Sequence, residues 1–270
     1  MNHSKYKMLV LDIDGTLTNS RKEITPATRA ALLQLQKDGV YVAIASGRPT
    51  PGVRATAAAL ELERFSNYVL SYNGACITNW GTGEIIAQQT LPAHLIPDIF
   101  QSALTEHAGI ISYEGDGVIA GTPIDEYMEL EARINGIPIR YIDNFAEYIT
   151  FPVNKCLMTG KPEHMAEVEK ALARKYEGIL NVYRSEPFFL EMMPCGVDKA
   201  NSLEKLLRHL GLSRDEMVCC GDGYNDISMI RYAGLGVAMK NAQPAVQESA
   251  DYITASNDDD GIVQVIEQFF

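Results

Sequence analysis

The chain has 270 residues, a formal net charge of −12, 46% hydrophobic and 21% charged residues. That balance reads as a folded globular protein, and the length lies near the limit where a single core divides, so one large domain or two unequal ones is expected. No apolar run approaches the ~20 residues of a membrane span, and the acidity disfavours nucleic acid, so none is expected as a partner, because affinity for that backbone is built mainly from clustered Lys and Arg.

The first predicted element is Met8-Leu9-Val10-Leu11, followed by Asp12-Ile13-Asp14-Gly15-Thr16. A short run rich in Val and Leu and closed by glycine reads as a strand covered on both faces, typical of a parallel sheet. In such sheets the chemistry sits at the carboxyl ends of the strands. Two carboxylates two residues apart at such an end suit a nucleophile and its proton donor, while Asp-x-Asp-Gly alone is equally a polar turn.

Thr25-Pro26 opens a helix through Leu32, Leu33 and Leu35 that closes at Gly39, with threonine as N-cap and proline at the first position. The first pattern then recurs as Tyr41-Val42-Ala43-Ile44-Ala45 before Ser46-Gly47-Arg48, and as Tyr68-Val69-Leu70 before Ser71-Tyr72-Asn73-Gly74. Between about 85 and 190 the character changes. Strands are expected at Gly109–Tyr113, Asn154–Met158 and Gly178–Tyr183, interleaved with helices over Pro92–His107 and Pro162–Tyr176. In the second helix Met165, Val168, Leu172 and Tyr176 recur at helical spacing and read as packing.

Asp198 is a plausible N-cap for a helix through Leu203, Leu206, Leu207 and Leu210 to Gly211, which puts Lys199 in the first turn. A lysine at the positive end of the helix dipole carries a small cost and calls for solvent or an anion. The last repeat of the pattern is Met217-Val218-Cys219-Cys220 before Gly221-Asp222-Gly223-Tyr224-Asn225-Asp226. Asp222 and Asp226, four apart, share a face if the turn enters a helix at once. The run Ile227–Ile230 permits it, and a helix cap is the alternative role for Asn225 or Asp226. Four strands, each ending in small or polar residues, argue for one shared site.

The five cysteines show no metal-ligand pattern and read as reduced, buried, small apolar residues, with Cys219 and Cys220 on opposite faces of their strand. His3, His94, His107, His164 and His209 all lie outside these segments, which argues against a histidine nucleophile or base and for surface positions. The opening Met1–Lys5 carries no secretory signal, so the expected location is the cytoplasm.

Taken in order, DxDGT at 12–16, SGR at 46–48, YNG at 72–74, Lys199 within GVDKANSL, GDGYND at 221–226 and GVAMKNA at 236–242 resemble the haloacid dehalogenase superfamily, most closely its Cof-like sugar-phosphate phosphatases. The resemblance covers both ends of the chain and leaves roughly 85–190 without a motif. It implies an α/β fold in which residues 1–84 and 191–270 form a Rossmann-like parallel-sheet core and 85–190 an inserted α/β cap. A phosphate substrate in so acidic a chain needs local positive charge. Mg²⁺ held by the Asp12 and Asp222 side chains would supply it, and the resemblance adds the Asp14 carbonyl as a third ligand. The sequence does not choose between Mg²⁺ and Mn²⁺, and nothing in it sets an oligomeric state.

Asp226, with Asn225, would complete the outer coordination or orient the metal's waters. By the same resemblance Ser46, Gly47, Lys199 and Asn225 hold the phosphoryl oxygens, Asp12 attacks phosphorus and Asp14 serves as acid and then base. A second aspartate at position 14 favours a phosphatase over a dehalogenase or an ion-pumping ATPase. Arg48, Asn73, Tyr113, Arg184 and Ser185 are the candidates for contact with the rest of a small phosphorylated metabolite. The rival readings are a phosphomutase with the same aspartyl-phosphate intermediate, and a phosphoacceptor or binding protein without turnover.

Overall fold

The structure is a computed structural model and describes residues 5–270, so His3 lies outside the described residues. Two compact units are distinguished, one formed by the chain up to Ala87 and from Asp198 to Phe270, the other by Gln88–Val197.

The first unit is built on an eight-stranded sheet. Its order is Tyr252–Ile253, Leu235–Ala238, Met217–Gly221, Met8–Leu11, Tyr41–Ala45, Tyr68–Ser71, Cys76–Asn79 and Ile85–Gln88. The first six are parallel, and Cys76–Asn79 turns back antiparallel on Tyr68–Ser71. Alternation along the parallel strands sends Leu9, Leu11, Val42, Ile44, Val218 and Cys220 into one apolar cluster. Met8, Val10, Ala43, Ala45, Met217 and Cys219 enter another. Both faces are thus covered, which is why these strands read as continuous apolar runs, and Cys219 and Cys220 do point to opposite faces.

From Met8–Leu11 the chain proceeds to Tyr41–Ala45 and Tyr68–Ser71 on one side, and later to Leu235–Ala238 on the other side, beyond Met217–Gly221. The strand order therefore reverses at Met8–Leu11, and the crevice beyond its carboxyl end, where Asp12 follows, is the place such sheets bind ligands.

The helices follow their caps. Thr25 Oγ1 accepts from Thr28 N at 3.1 Å at the start of Pro26–Lys37. Asp198 Oδ1 accepts from Asn201 N at 2.9 Å at the start of Lys199–Leu210, which ends at Gly211 with φ of 68°. The glycine carries the left-handed turn that releases the chain from the helix.

The second unit has a six-stranded sheet, ordered Leu180–Glu186, Phe189–Pro194, Cys156–Thr159, Gly109–Glu114, Gly117–Ala120 and Ile139–Tyr141. Its apolar cluster joins Ile110, Cys156, Met158 and Leu190 of the sheet to Ile96, Ile99, Met165, Val168 and Leu172 of two helices. A boundary at 190, as the sequence suggests, would cut Phe189–Pro194, which is hydrogen-bonded to strands on both sides. The unit therefore runs to Val197. The expected helix from Pro92 begins as a 3₁₀ turn at Ala93–Leu95 and becomes α-helical over Ile96–Thr105. His94, His107, His164 and His209 are exposed as expected. Cys195 is exposed too, unlike the four other cysteines, because it lies in the turn after the last strand rather than on it. No helix among the described residues is long and apolar enough to cross a membrane.

Candidate active site

Asp12 is the first residue past the strand, and its N–H still donates to Cys220 O at 3.1 Å, so the carboxylate starts from a fixed backbone. Lys199, in the first turn of its helix, places Nζ 2.7 Å from Asp12 Oδ1 and 2.5 Å from Asp226 Oδ1, with its side chain 0% exposed. Burial would strip the ammonium of its proton. The two carboxylates outweigh that and hold it firmly protonated. No hydrogen bond reaches Asp12 Oδ2 among the described residues.

Asp226 follows a 3₁₀ turn, Tyr224–Asp226, that precedes the helix Ile227–Tyr232. Its Oδ2 accepts from Asp222 N at 3.0 Å and Gly223 N at 2.9 Å while Oδ1 holds Lys199. Both oxygens are committed, so Asp226 ties the Gly221–Asp226 loop to the lysine.

Asp222 Oδ1 accepts from Thr16 Oγ1 at 2.8 Å. The loop carrying Thr16 comes so near that a Cβ on Gly15, at φ of 87°, would lie 2.2 Å from Asp222 Oδ2. Only glycine meets both demands at that position. Ligand atoms of Asp12, Asp222 and Asp226 lie within 4.8 Å of one another. Burial first, then repulsion from Asp226, raises the Asp12 carboxyl to about 7 despite Lys199. Burial and Asp226 raise Asp222 to about 6 against the hydrogen bond from Thr16.

The Asp14 side chain is not part of this cluster. Arg48 forks onto it, Nε to Oδ2 and Nη2 to Oδ1, both at 2.8 Å, and Lys22 Nζ reaches Oδ1 at 2.9 Å. Partial burial would raise its pKa, but Arg48 and then Lys22 outweigh it, and the carboxyl is held below its ordinary value.

Ser46 Oγ accepts from Arg48 N at 3.2 Å, and Ser46 O accepts from Asn73 N at 2.9 Å. Asn225 Nδ2 donates to Asn73 Oδ1 at 3.0 Å, and a Cβ on Gly47 would sit 3.3 Å from that same oxygen. Ser46, Gly47, Arg48, Asn73 and Asn225 are thereby linked at the loop ends of their strands.

Of the three candidates from the second unit, Tyr113 and Ser185 meet the same buried Lys155–Glu191 ion pair, with Lys155 Nζ 5.4 Å from the Tyr113 ring centroid, and Arg184 bonds elsewhere. Tyr113 Oη donates to Glu131 Oε1 at 2.6 Å in the interior. Arg184 Nε binds Glu169 Oε2 at 2.8 Å, and Ser185 Oγ donates to Glu191 Oε1 at 2.9 Å. Strand-end polarity suggested them. Their carboxylate partners on neighbouring helices and strands explain that polarity as structural bonding within the unit. Three residues of the first unit went unassigned in the sequence: Thr16 and Asn241, although both lie within the quoted motifs, and Lys22, for which no motif gives a signal. Asn241 Nδ2 donates to Gly15 O at 2.8 Å.

Residues 9–266 match the family model described as haloacid dehalogenase-like hydrolase. The chain belongs to the haloacid dehalogenase-like hydrolases. A solved haloacid dehalogenase-like hydrolase from Bacteroides thetaiotaomicron superposes with a TM-score of 0.94 at 45% identity, covering 98% of this chain and 100% of that one. The HAD subclass IIB sugar phosphatase BT4131 gives 0.81 at 26% identity, over 97% of this chain and 98% of its own. YcsE of Bacillus subtilis, a 5-amino-6-(5-phospho-D-ribitylamino)uracil phosphatase, is 30% identical over 264 residues, 96% of this chain and 94% of that protein. The protein is accordingly a HAD-type phosphatase, and a small phosphorylated compound is its substrate class.

Proposed function

We propose that the protein hydrolyses phosphate monoesters of small polyhydroxylated metabolites, sugar phosphates first, through an aspartyl-phosphate on Asp12 and with Mg²⁺ as cofactor. The observation that carries this reading is Asp12 at the carboxyl end of the central strand, with Oδ1 on the buried Lys199 and Oδ2 free of hydrogen bonds among the described residues. The sugar-phosphate class is supported by the subclass IIB sugar phosphatase and by YcsE, whose substrate carries a phosphorylated ribityl chain.

The donor set fits a divalent cation. Asp12, Asp222 and Asp226 offer only oxygen, the ligand type of a hard cation. Three carboxylates around one ammonium leave two negative charges, which one divalent ion offsets. With Asp226 committed to Lys199 and two backbone amides, the Asp12 and Asp222 side chains and the Asp14 carbonyl would hold the ion. When bound, it supplies positive charge against the phosphoryl oxygens.

Asp12 Oδ2 attacks phosphorus, the bond from oxygen to phosphorus forms, and the bond to the leaving alkoxide breaks. Asp14 gives that alkoxide a proton. A water then attacks the same phosphorus, Asp14 takes its proton, and the bond to Asp12 breaks to release inorganic phosphate. Lys199 neutralises charge on Asp12 and on the phosphoryl oxygens, and Ser46, Gly47 and Asn225 are placed to donate to the others. Asp226 orients Lys199 and the loop of Asp222. The unit of Gln88–Val197 sets preference among substrates, because the core motifs account for the phosphate and leave nothing to read the rest of the molecule.

The test is phosphate release from an aryl phosphate and from a panel of sugar phosphates by the natural chain, Asp12→Asn and Asp14→Asn, with chelator and with added Mg²⁺. Asp12→Asn should fall below about a thousandth of the natural rate. Asp14→Asn should lose about 10²–10⁴-fold, less on the aryl phosphate, whose leaving group needs no proton. Isomerised sugar phosphate without free phosphate would favour a mutase. Stoichiometric labelling without turnover would favour a phosphoacceptor.

A further inference from the structure

We propose that Arg48 and Lys22 are positioning residues for Asp14, together fixing its carboxylate for activation of the water that hydrolyses the phosphorylated Asp12. The proposal rests on the reading of Asp14 as acid and base, and adds to it two residues and the half-reaction they serve.

The geometry distinguishes the two oxygens of Asp14. Oδ1 receives both Arg48 Nη2 and Lys22 Nζ, at 2.8 and 2.9 Å, whereas Oδ2 receives Arg48 Nε alone at 2.8 Å. The planar fork removes the carboxylate's rotation about its own axis. Oδ2 keeps a free lone pair, and it is the oxygen that takes the proton from water. An oxygen with a lone pair left open suits taking a proton, which Asp14 does in the hydrolysis of the intermediate rather than in its formation.

Lys22 is delivered by backbone that ordinary residues avoid, and Arg48 is anchored against such a segment. Arg48 is fixed at both ends of its own peptide unit, N–H to Ser46 Oγ and carbonyl to Tyr72 N at 2.9 Å. Tyr72, Asn73 and Gly74 that follow the neighbouring strand have φ of 53°, 54° and 95°, three consecutive residues in the left-handed region. Lys22 also has a positive φ, 63°. It sits in a loop organised by Asn19, whose Oδ1 accepts from Arg21 N and Glu23 N, both at 3.0 Å. For residues other than glycine such conformations are strained and persist where the surroundings over-determine them. One left-handed residue thus carries the Lys22 ammonium to the carboxylate, and a left-handed run on the neighbouring strand end holds the backbone of Arg48. The side chains of Arg48, Asp14 and Lys22 are 18%, 37% and 64% exposed, so Arg48 carries most of the hold and Lys22 a part that salt screens.

The experiment is a double-mutant cycle on the purified, Mg²⁺-loaded full chain. Arg48→Ala, Arg48→Lys and Lys22→Ala are each made alone and with Asp14→Asn, and burst and steady-state kinetics are read with an aryl phosphate. Alone, both Arg48 variants should lose about 10²-fold in kcat, the scale of a misplaced catalytic group. KM and inhibition by inorganic phosphate should be unchanged. Acid-quenched samples should show more phosphorylated enzyme than the natural chain, because the slowed step is its hydrolysis. Lys22→Ala should lose a few-fold, and the loss should vanish in high salt. Combined with Asp14→Asn, none should cost anything further, the mark of residues that act through one partner. Additive losses, or a weakened inhibition by phosphate in either background, would overturn the proposal and place Arg48 on the phosphoryl group instead. An Asp14→Asn single variant with natural turnover would bring down the acid/base reading itself, and this proposal with it.

Discussion

Replacing Lys199 by methionine removes a charge whose side chain is 0% exposed while keeping most of its volume, so the perturbation is almost purely electrostatic. Its contacts to Asp12 and Asp226 are 2.7 and 2.5 Å. At an effective dielectric of about 20 each attraction is about 6 kcal/mol, and most of that is cancelled by the desolvation of the three ions. Removing one partner does not return the desolvation of the others. Two carboxylates then remain inside without a counter-charge, and the expected loss of stability is about 3–5 kcal/mol. Asp226 retains the two amides on Oδ2, which argues for the lower half of that range. With the ammonium present the Asp12 carboxyl already stands at about 7, against 3.8 in the unfolded chain, and without it burial and Asp226 push it higher still. Above pH 7 the folded variant still holds a proton that the natural folded chain has released, so its stability goes on falling as pH rises after that of the natural chain has levelled. The deficit relative to the natural chain should therefore be larger at pH 8 than at pH 5. Urea unfolding of both proteins in chelator, at the two pH values, measures it. A deficit under about 1 kcal/mol at pH 8, or one that is greater at pH 5, would refute the assignment of Lys199 as the counter-charge of this cluster.

Asp222→Ala should raise the Mg²⁺ concentration needed for half-maximal activity at least tenfold, and isothermal titration of metal into the inactive Asp12→Asn protein with and without this change tests ligation apart from turnover. Gly15→Ala puts a methyl group where Asp222 Oδ2 lies and strains a φ of 87°; stability should fall by about 1–3 kcal/mol, metal affinity should fall with it, and an unchanged Mg²⁺ titration would mean that the two loops need not approach so closely. Tyr113→Phe removes the buried hydrogen bond to Glu131 and should cost about 1–3 kcal/mol in thermal unfolding with kcat on an aryl phosphate unaltered. A large fall in kcat would return Tyr113 to the substrate.

The core was legible because its signals are local. Apolar runs such as Val42–Ala45 name buried parallel strands, and Thr25-Pro26 and Asp198 announce helix starts that the structure places where they were expected. The second unit was less so. The strands Gly117–Ala120 and Ile139–Tyr141 are short, and the helix Glu126–Asn135 between them, capped by Asp125 and closed by Gly136 at φ of 64°, passed unnoticed. That helix supplies Glu131, so the bonding of Tyr113 was invisible as well. In the site, the carboxylates and Lys199 could be found from motif and strand-end position. Lys22 could not, because what aims it is a local turn held by the Asn19 side chain, and no periodicity encodes a turn's direction.

The distance along the chain between Asp12 and Lys199, 187 residues, has a consequence for how the protein is made. At a synthesis rate of about 5–20 residues per second, roughly 10–40 s separate the appearance of the nucleophile from that of its counter-charge. During that interval Met8–Leu11 can pair with Tyr41–Ala45, but its other edge, destined for Met217–Gly221, stays open. The residues Gln88–Val197 are contiguous and emerge whole in the same interval. A nascent chain can therefore complete its second unit while the first still waits for its final strands. The acidic cluster closes only when the last quarter of the polypeptide has left the ribosome, so the phosphatase has no active partial form.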